Sequence, residues 1–562
     1  MEKDRSKEMI FSRVSISVAV AVAVIMFSVL PVKSWSFASN NIPLDSSVYS
    51  YLEKLAGLGL ISTDVIGIKP YSKAEAARLA LEAQQNLELL SGESRTFAED
   101  ILNRVCKLIP REISLRKKKP AGGPFFDYNP ISSARLRYVY LDGIARSYNR
   151  DIYVRGGQSA FGFIGGKLRP DSDAGIAHQS GSEGTPLLEN NQGVIYRRGQ
   201  NAELSWSMEG FVTSKVSLLV EPLLLHTPKD DQLTLQKGYI KIGGGGLELE
   251  VGRDVNWFGP GYRGALTLAS NARNFDMVKL SSPEPLDVGW VKEYLGDFKY
   301  AFILSRFDET GKGDTLRRPY FLAMKLSLKP KPWFEIGGNF VRQEGGPGLS
   351  ADTTIADFIF GGGNTNRSNS IAGIELLFRI PWLRNSMIYG EYAGEDSAGF
   401  WPFVESYVAG IYIPCLTPSG RDDFRFEFFY GNPMLYTDFK FPAGYVYHQI
   451  PVGHSQGGGT IEFFTRYSHW FSERNNLALE YFHTERGNEG RVKVGPGGRS
   501  DPNGIFQAVE RKDALRAIWN LPLFGDFDMN LMYGWERIHN FDLVSGRNRT
   551  NQLVKIDLLY RY

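Results

Sequence analysis

Arg253 and Asp254 are adjacent in this sequence, just ahead of a Gly259-Pro260-Gly261 turn flanked by Trp257, Phe258 and Tyr262. Sugars offer apolar C–H faces and rings of hydroxyls. Aromatic rings beside fixed charged groups therefore suit carbohydrate. The two glycines let backbone approach closely at the turn. A purely structural turn, with Arg253 and Asp254 held in a network of charges, is the competing reading. If the strand that carries them continues, their side chains point to opposite faces.

Other residues that could do chemistry make weaker sets. Glu391, Glu395 and Asp396 invite comparison with a glycosidase, which needs two carboxylates about 5–10 Å apart. Positions i and i+4 of a strand share a face but sit ~13 Å apart, so charges on one strand face are the better account. The seven histidines are scattered, with no His-x-x-x-His or Cys-x-x-Cys pairing. No catalytic residue, metal site or cofactor is expected. Residues 243–246 are four glycines without the Lys-Ser/Thr of a phosphate loop, and read as a turn. Gly361-Gly-Gly-Asn-Thr-Asn-Arg-Ser-Asn369 and His454-Ser-Gln-Gly-Gly-Gly459 read as polar loops, either offering groups to a glycan on an outer face or simply mobile. Cys106 and Cys415 allow one disulfide or two free thiols.

The elements that carry these residues are strands from about residue 132 onward. Asn201, Glu203, Ser205, Ser207 and Glu209 alternate with Ala202, Leu204, Trp206, Met208 and Gly210. Leu247, Leu249 and Val251 alternate with Glu248 and Glu250, and residues 424–430, 476–483 and 529–535 add further strands. In the last nine residues Val554, Ile556, Leu558, Tyr560 and Tyr562 share one face, opposite Lys555, Asp557 and Arg561, with Leu559 the exception. Period two with an apolar and a charged face fits a barrel with lipid outside and a polar lumen. At ~24 residues per strand and turn, sixteen to eighteen strands are predicted. The high aromatic content (13%) and the 60 glycines fit lipid-interface girdles and turns. A secreted sandwich is the alternative on composition alone.

Lys3, Arg5, Lys7 and Arg13 precede an uncharged run over residues 14–30, with Ser36-Phe37-Ala38 as a cleavage site, the layout of a signal peptide over residues 1–38. Its removal takes away five basic and three acidic residues and turns the formal charge of +2 into zero, which disfavours a nucleic-acid partner. Downstream no apolar run is long enough for a spanning helix, so a membrane span must be made of strands. Residues 39–124 read as a module of about three short helices and a linker. Asp45 caps the first helix, the capping boxes Ser72–Glu75 and Thr96–Glu99 open the next two, and Pro110 stops the last. The basic run Arg116-Lys-Lys-Lys119 reads as a solvated connector or a contact with anionic lipid or polysaccharide.

The least generic stretch is Gly252-Arg-Asp-Val-Asn-Trp-Phe-Gly-Pro-Gly-Tyr-Arg-Gly-Ala-Leu-Thr-Leu-Ala-Ser-Asn-Ala272, followed by Phe275-Asp-Met-Val-Lys-Leu-Ser281. Together with Ile42-Pro-Leu-Asp45, Pro70-Tyr-Ser-Lys-Ala-Glu-Ala-Ala-Arg78, Arg318-Pro-Tyr-Phe321, Tyr389-Gly-Glu-Tyr-Ala-Gly-Glu-Asp396 and Ile450-Pro-Val-Gly-His454, it resembles the capsule-assembly Wzi family of outer-membrane proteins. Ala269 and Arg273 depart from the family pattern. The resemblance implies a transmembrane β-barrel of about 18 antiparallel strands, residues 125–562, with a small α-helical bundle on the periplasmic side. It implies a non-enzymatic, lectin-like role in holding surface polysaccharide, with Arg253, Asp254, Trp257, Tyr262, Arg263 and Asn271 as the binding candidates. A monomer in outer-membrane lipid, inserted by the barrel-assembly machinery, is expected. A porin-like channel gated by the helices and a polysaccharide hydrolase are the other readings.

Overall fold

Alternating side chains make the strands, and the computed structural model shows what they close into. It describes residues 37–117, 126–156, 172–244, 246–286, 289–349, 367–395, 404–496 and 498–561. The expected signal peptide (Phe37 and Ala38 apart), most of the linker, Asp396, residues 361–366 and Tyr562 lie outside them.

Eighteen strands form a closed antiparallel barrel. In chain order they are β1 (Phe126–Asp142), β2 (Gly199–Val212), β3 (Val216–His226), β4 (Asp231–Gly244), β5 (Leu247–Asp254), β6 (Phe275–Ser281), β7 (Asp297–Arg306), β8 (Tyr320–Lys331) and β9 (Phe334–Glu344). There follow β10 (Ser368–Ile380), β11 (Ser386–Glu395), β12 (Val404–Ile413), β13 (Asp422–Gly431), β14 (Thr460–Trp470), β15 (Asn476–Arg486), β16 (Glu510–Pro522), β17 (Phe527–His539) and β18 (Arg549–Arg561). Each pairs with its neighbours in sequence, and β18 closes the ring on β1 from Ser133↔Arg561 to Asp142↔Gln552. Two prolines sit where a strand tolerates them, at bulges: Pro130 in the register shift of β1 and Pro222 in that of β3.

The predicted faces hold. Asn201, Glu203, Ser205, Ser207 and Glu209 of β2 are buried inside, while Leu204 is exposed outside. On β18, Lys555 and Asp557 point inward and Ile556 outward. Leu224, Ile240, Val251, Leu326 and Ile388 continue the outer apolar surface, and Trp333, Trp382 and Phe524 are exposed at short turns, as in an interfacial girdle. This is the fold of an outer-membrane β-barrel, with short turns at one end and long loops at the other.

The helices cover the short-turn end. In the N-terminal module, among the described residues, they number four where about three were expected: α1 (Ser47–Gly57), α2 (Lys73–Gln85), α3 (Gly92–Leu108) and α4 (Pro110–Lys117). Ser46, not Asp45, caps α1, because Asp45 is drawn to Arg135 of β1 at 2.6 Å. Ser72 accepts from the Glu75 N–H at 3.0 Å as predicted, but the Glu75 carboxylate turns to Arg78 instead of closing the box. The box at Thr96 does not form. Its helix starts a turn earlier, at Gly92, leaving Thr96 inside. Pro110 opens α4 in the first-turn position that needs no N–H.

The apolar faces of these helices merge into one core with Trp470 of β14. Polar ties dock that core on the barrel rim. Lys54 reaches Asp423 at 2.7 Å, and Arg104 reaches Asp526 and Asp528, each at 3.1 Å. Arg116, read as part of a solvated connector, pairs with Glu284. Cys106 and Cys415 are both free thiols.

Candidate functional site

The site grows out of the end of β5. Gly252 has φ +140°, and a side chain there would strike the backbone of Gly238 and Tyr239 on β4. From this point alternation separates the first two candidates. Arg253 faces outward, where it grips Asp276 of β6 through two bonds of 2.7 Å and the Leu235 carbonyl at 2.9 Å. Asp254 faces the lumen and accepts from the Asn41 side chain at 2.7 Å, tying the N-terminal segment to the wall. Arg253 and Asp254 thus belong to two surfaces rather than one site.

Residues 255–274 then turn into the lumen, buried except at Tyr262 and Arg273. Trp257 and Phe258 form a two-residue strand against Lys69 and Ile68, and the Gly259 N–H donates to the Gly67 carbonyl at 3.0 Å. Trp257 is packed away, its Nε1 on the Gly259 carbonyl at 3.1 Å. Asn271 donates to the Pro451 carbonyl at 3.1 Å, and the Tyr436 and Tyr445 hydroxyls donate to the carbonyls of Leu266 (2.6 Å) and Thr267 (2.7 Å). The loop between β13 and β14 is therefore folded inside as well. His454-Ser-Gln456, expected at an outer face, is buried. The His454 ring stacks on Phe429 at 3.7 Å, and burial pushes this imidazole down to about 4, so it is neutral near pH 7.

A buried loop must find partners for its backbone N–H groups, and wall carboxylates supply them. Glu335 of β9 accepts from Ile66 (3.1 Å) and Gly67 (3.0 Å). Glu391 of β11 accepts from Leu266 at 3.0 Å, and Glu395 from Tyr436 at 2.5 Å. Glu427 of β13 accepts from Tyr262 (2.7 Å) and Arg263 (2.9 Å). Arg263 is held by Glu189 at 2.7 and 2.8 Å and Glu462 at 2.9 Å, over the ring of Phe482 at 4.4 Å. Glu391 and Glu395, weighed above as acid and base, are occupied acceptors that hold a plug. Glu335, Glu427 and Glu462 went unnoticed in the sequence. Their inward strand positions were readable, but nothing local announces which loop each would meet.

Tyr262 is the candidate left open. It is 37% exposed, stacked on Phe464 at 5.8 Å, with Arg425 at 4.5 Å and Arg466 at 5.3 Å from its ring and an Arg466 bond to its hydroxyl. It faces a cavity of about 500 Å³ between α1 and the inward loops. Among the described residues no cluster of three metal-ligating side chains occurs.

The long-loop end is a built surface. Two hairpins, Arg150–Gly156 with Ser172–Gln179 and Lys493–Val494 with Ile505–Phe506, lock together at Asp151. Asp151 accepts from the Ser500 N–H (2.8 Å) and Arg499 (3.1 Å), while its carbonyl accepts from Gln507 (3.0 Å). Beside them Phe506 and Phe439 are 59% and 83% exposed, with Lys493 and Lys440 ammonium groups 5.5 and 5.0 Å from the rings. These aromatic–cation pairs offer a sugar-contact chemistry that the sequence did not single out.

A solved Escherichia coli structure aligns over 94% of this chain and 99% of its own, with a TM-score of 0.64 and 15% identity; it is described as Wzi, an outer-membrane protein involved in group 1 capsule assembly and a carbohydrate-binding β-barrel. A Pseudomonas aeruginosa barrel, OpdQ, aligns over 76% of this chain and 97% of its own at a TM-score of 0.40 and 9% identity. An uncharacterized 55.8 kDa protein in the cps region of Klebsiella pneumoniae is 25% identical over 173 residues, 29% of this chain and 33% of that protein, so this chain spans about a third of that relative. Residues 169–553 match the family model described as capsule assembly protein Wzi, and the chain belongs to that family.

Proposed function

We propose that this protein sits in the outer membrane, with its helices on the periplasmic side and its long loops outward, and binds surface polysaccharide so as to attach or assemble it on the cell. Family membership over residues 169–553 carries the reading. The description of the E. coli relative as a carbohydrate-binding barrel, and the cps-region origin of the Klebsiella relative, agree with it. The filled lumen supports a binding scaffold over a conduit, because loops and helices occupy the space a permeant solute would need. The outer aromatics give the individual contacts. Each is weak, so retention of a repeating polymer rests on many of them acting together. The chain acts as a monomer in outer-membrane lipid, delivered by the barrel-assembly machinery, and does no catalysis.

Purified full-length protein in detergent, exposed to polysaccharide from its own cells on a sensor surface, tests this directly. Saturable binding that falls in a Phe439→Ala, Phe506→Ala double variant is expected, and absence of binding would contradict the reading. A porin-like channel is the second reading, because eighteen strands enclose enough room for one. In planar bilayers the intact protein is expected to give no wide, steady conductance, and such a conductance would favour the channel.

A further inference from the structure

The cavity beneath Tyr262 has a chemistry of its own. Nine of the side chains that line it carry cationic heads and six carry carboxylates. Most of these charges are spoken for: Arg516 holds Glu480 and Glu189, Arg474 holds Asp528, and Arg379 holds Asp64. Lys69 is different. Among the described residues its ammonium sits over two rings, Trp257 at 5.7 Å and Tyr49 at 6.0 Å, and feels the charges of Glu53, Glu427 and Glu335 without a direct ion pair or hydrogen bond to any of them. A cation so placed keeps its hydrogen-bond donors open to an anion in direct contact. The wall also carries the carboxamides of Asn191, Asn476 and Asn520, and the Oδ1 atoms of Asn190 and Asn530 have no hydrogen-bond partner among the described residues. Unfilled acceptors of this kind suit hydroxyl donors. The volume falls within the range, roughly 300–1,000 Å³, of small-molecule sites.

We propose that this lumenal cavity binds an acidic sugar, a carboxylate-bearing mono- or disaccharide whose anion meets Lys69 and whose hydroxyls meet the carboxamides. The argument rests on the lining of the lumen and not on polymer binding at the outer face, so either can fail alone. Isothermal titration of the full-length protein in detergent tests it, with galacturonate and digalacturonate as probes and galactose and inorganic phosphate as comparators. At least one uronate is expected to bind at least tenfold more tightly than galactose or phosphate. Lys69→Gln is expected to weaken that binding about tenfold or more, the value of a charge-assisted contact. Asn530→Ala, read alongside it, is expected to weaken it several-fold, with the folded, heat-modifiable band retained in both. Absence of uronate binding, equal binding of galactose or phosphate, or wild-type affinity in a folded Lys69→Gln protein would overturn the proposal.

Discussion

At Gly264 a single methyl group would collide with the ring of His454, which is itself stacked on Phe429 and cannot retreat. Gly264→Ala is expected to cost about 1–3 kcal/mol, as overpacking does, and to loosen the plug while the barrel stays closed. Faster protease cleavage within residues 255–274, with an unchanged heat-modifiable band, is the readout. Asp64 works differently. Burial would raise its carboxyl, but Arg379 (2.8 and 3.1 Å) and Lys329 (2.7 Å) outweigh that and hold it well below the ordinary carboxylate range. Stabilisation from a depressed carboxyl is present above the unfolded value of about 3.9 and is lost as pH falls through the folded one. The N-terminal segment should thus stay docked at pH 5–7 and loosen only in stronger acid. Asp64→Asn should loosen it at pH 7, by about 3–5 kcal/mol, because two buried cations lose their partner. Amide exchange over residues 60–72 measures both effects, and unchanged protection in the variant would contradict the assignment.

Strands are the elements the sequence made plainest. On β18, Ile556 faces outward and Asp557 inward, where Arg137 holds it at 2.6 and 2.9 Å. Ile556→Arg is expected to cost up to about 2–4 kcal/mol, depending on depth, and to reduce the heat-modifiable band. Wild-type levels of folded protein would contradict the orientation. Period two was legible because lipid on one side and a charged lumen on the other impose it residue by residue. Helix starts were less so. Ser72 capped as expected, but Thr96 lies mid-helix, since nothing between Gly92 and Thr96 breaks the turn that precedes it. The inward loops were not legible. Residues 454–459 look like any polar, glycine-rich surface loop, and their burial depends on partners as remote as Arg146, which reaches Gln456 at 2.7 Å, and Tyr148, which reaches the Ser455 carbonyl at 2.8 Å. For the same reason the packing of Trp257, Arg263 and Asn271 against the plug could not be read from the sequence, and among the motif's aromatics Trp257 and Tyr262 line the cavity, Tyr262 being the more exposed.

Taken whole, the described residues form a barrel with helices on the short-turn rim, two loops folded inward from the long-loop end (residues 255–274 and the β13–β14 loop), and a polar chamber between. Wall carboxylates on β11 and β13 fix those loops, while Glu335 of β9 holds residues 66–67 of the N-terminal segment. The central claim is retention of surface polysaccharide, and the most direct measurement separates cell-associated from released polymer in cells with and without this protein. Deletion is expected to lower the cell-associated fraction while total polymer stays constant, with recovery on complementation. An unchanged cell-associated fraction in the deletion strain would contradict the account.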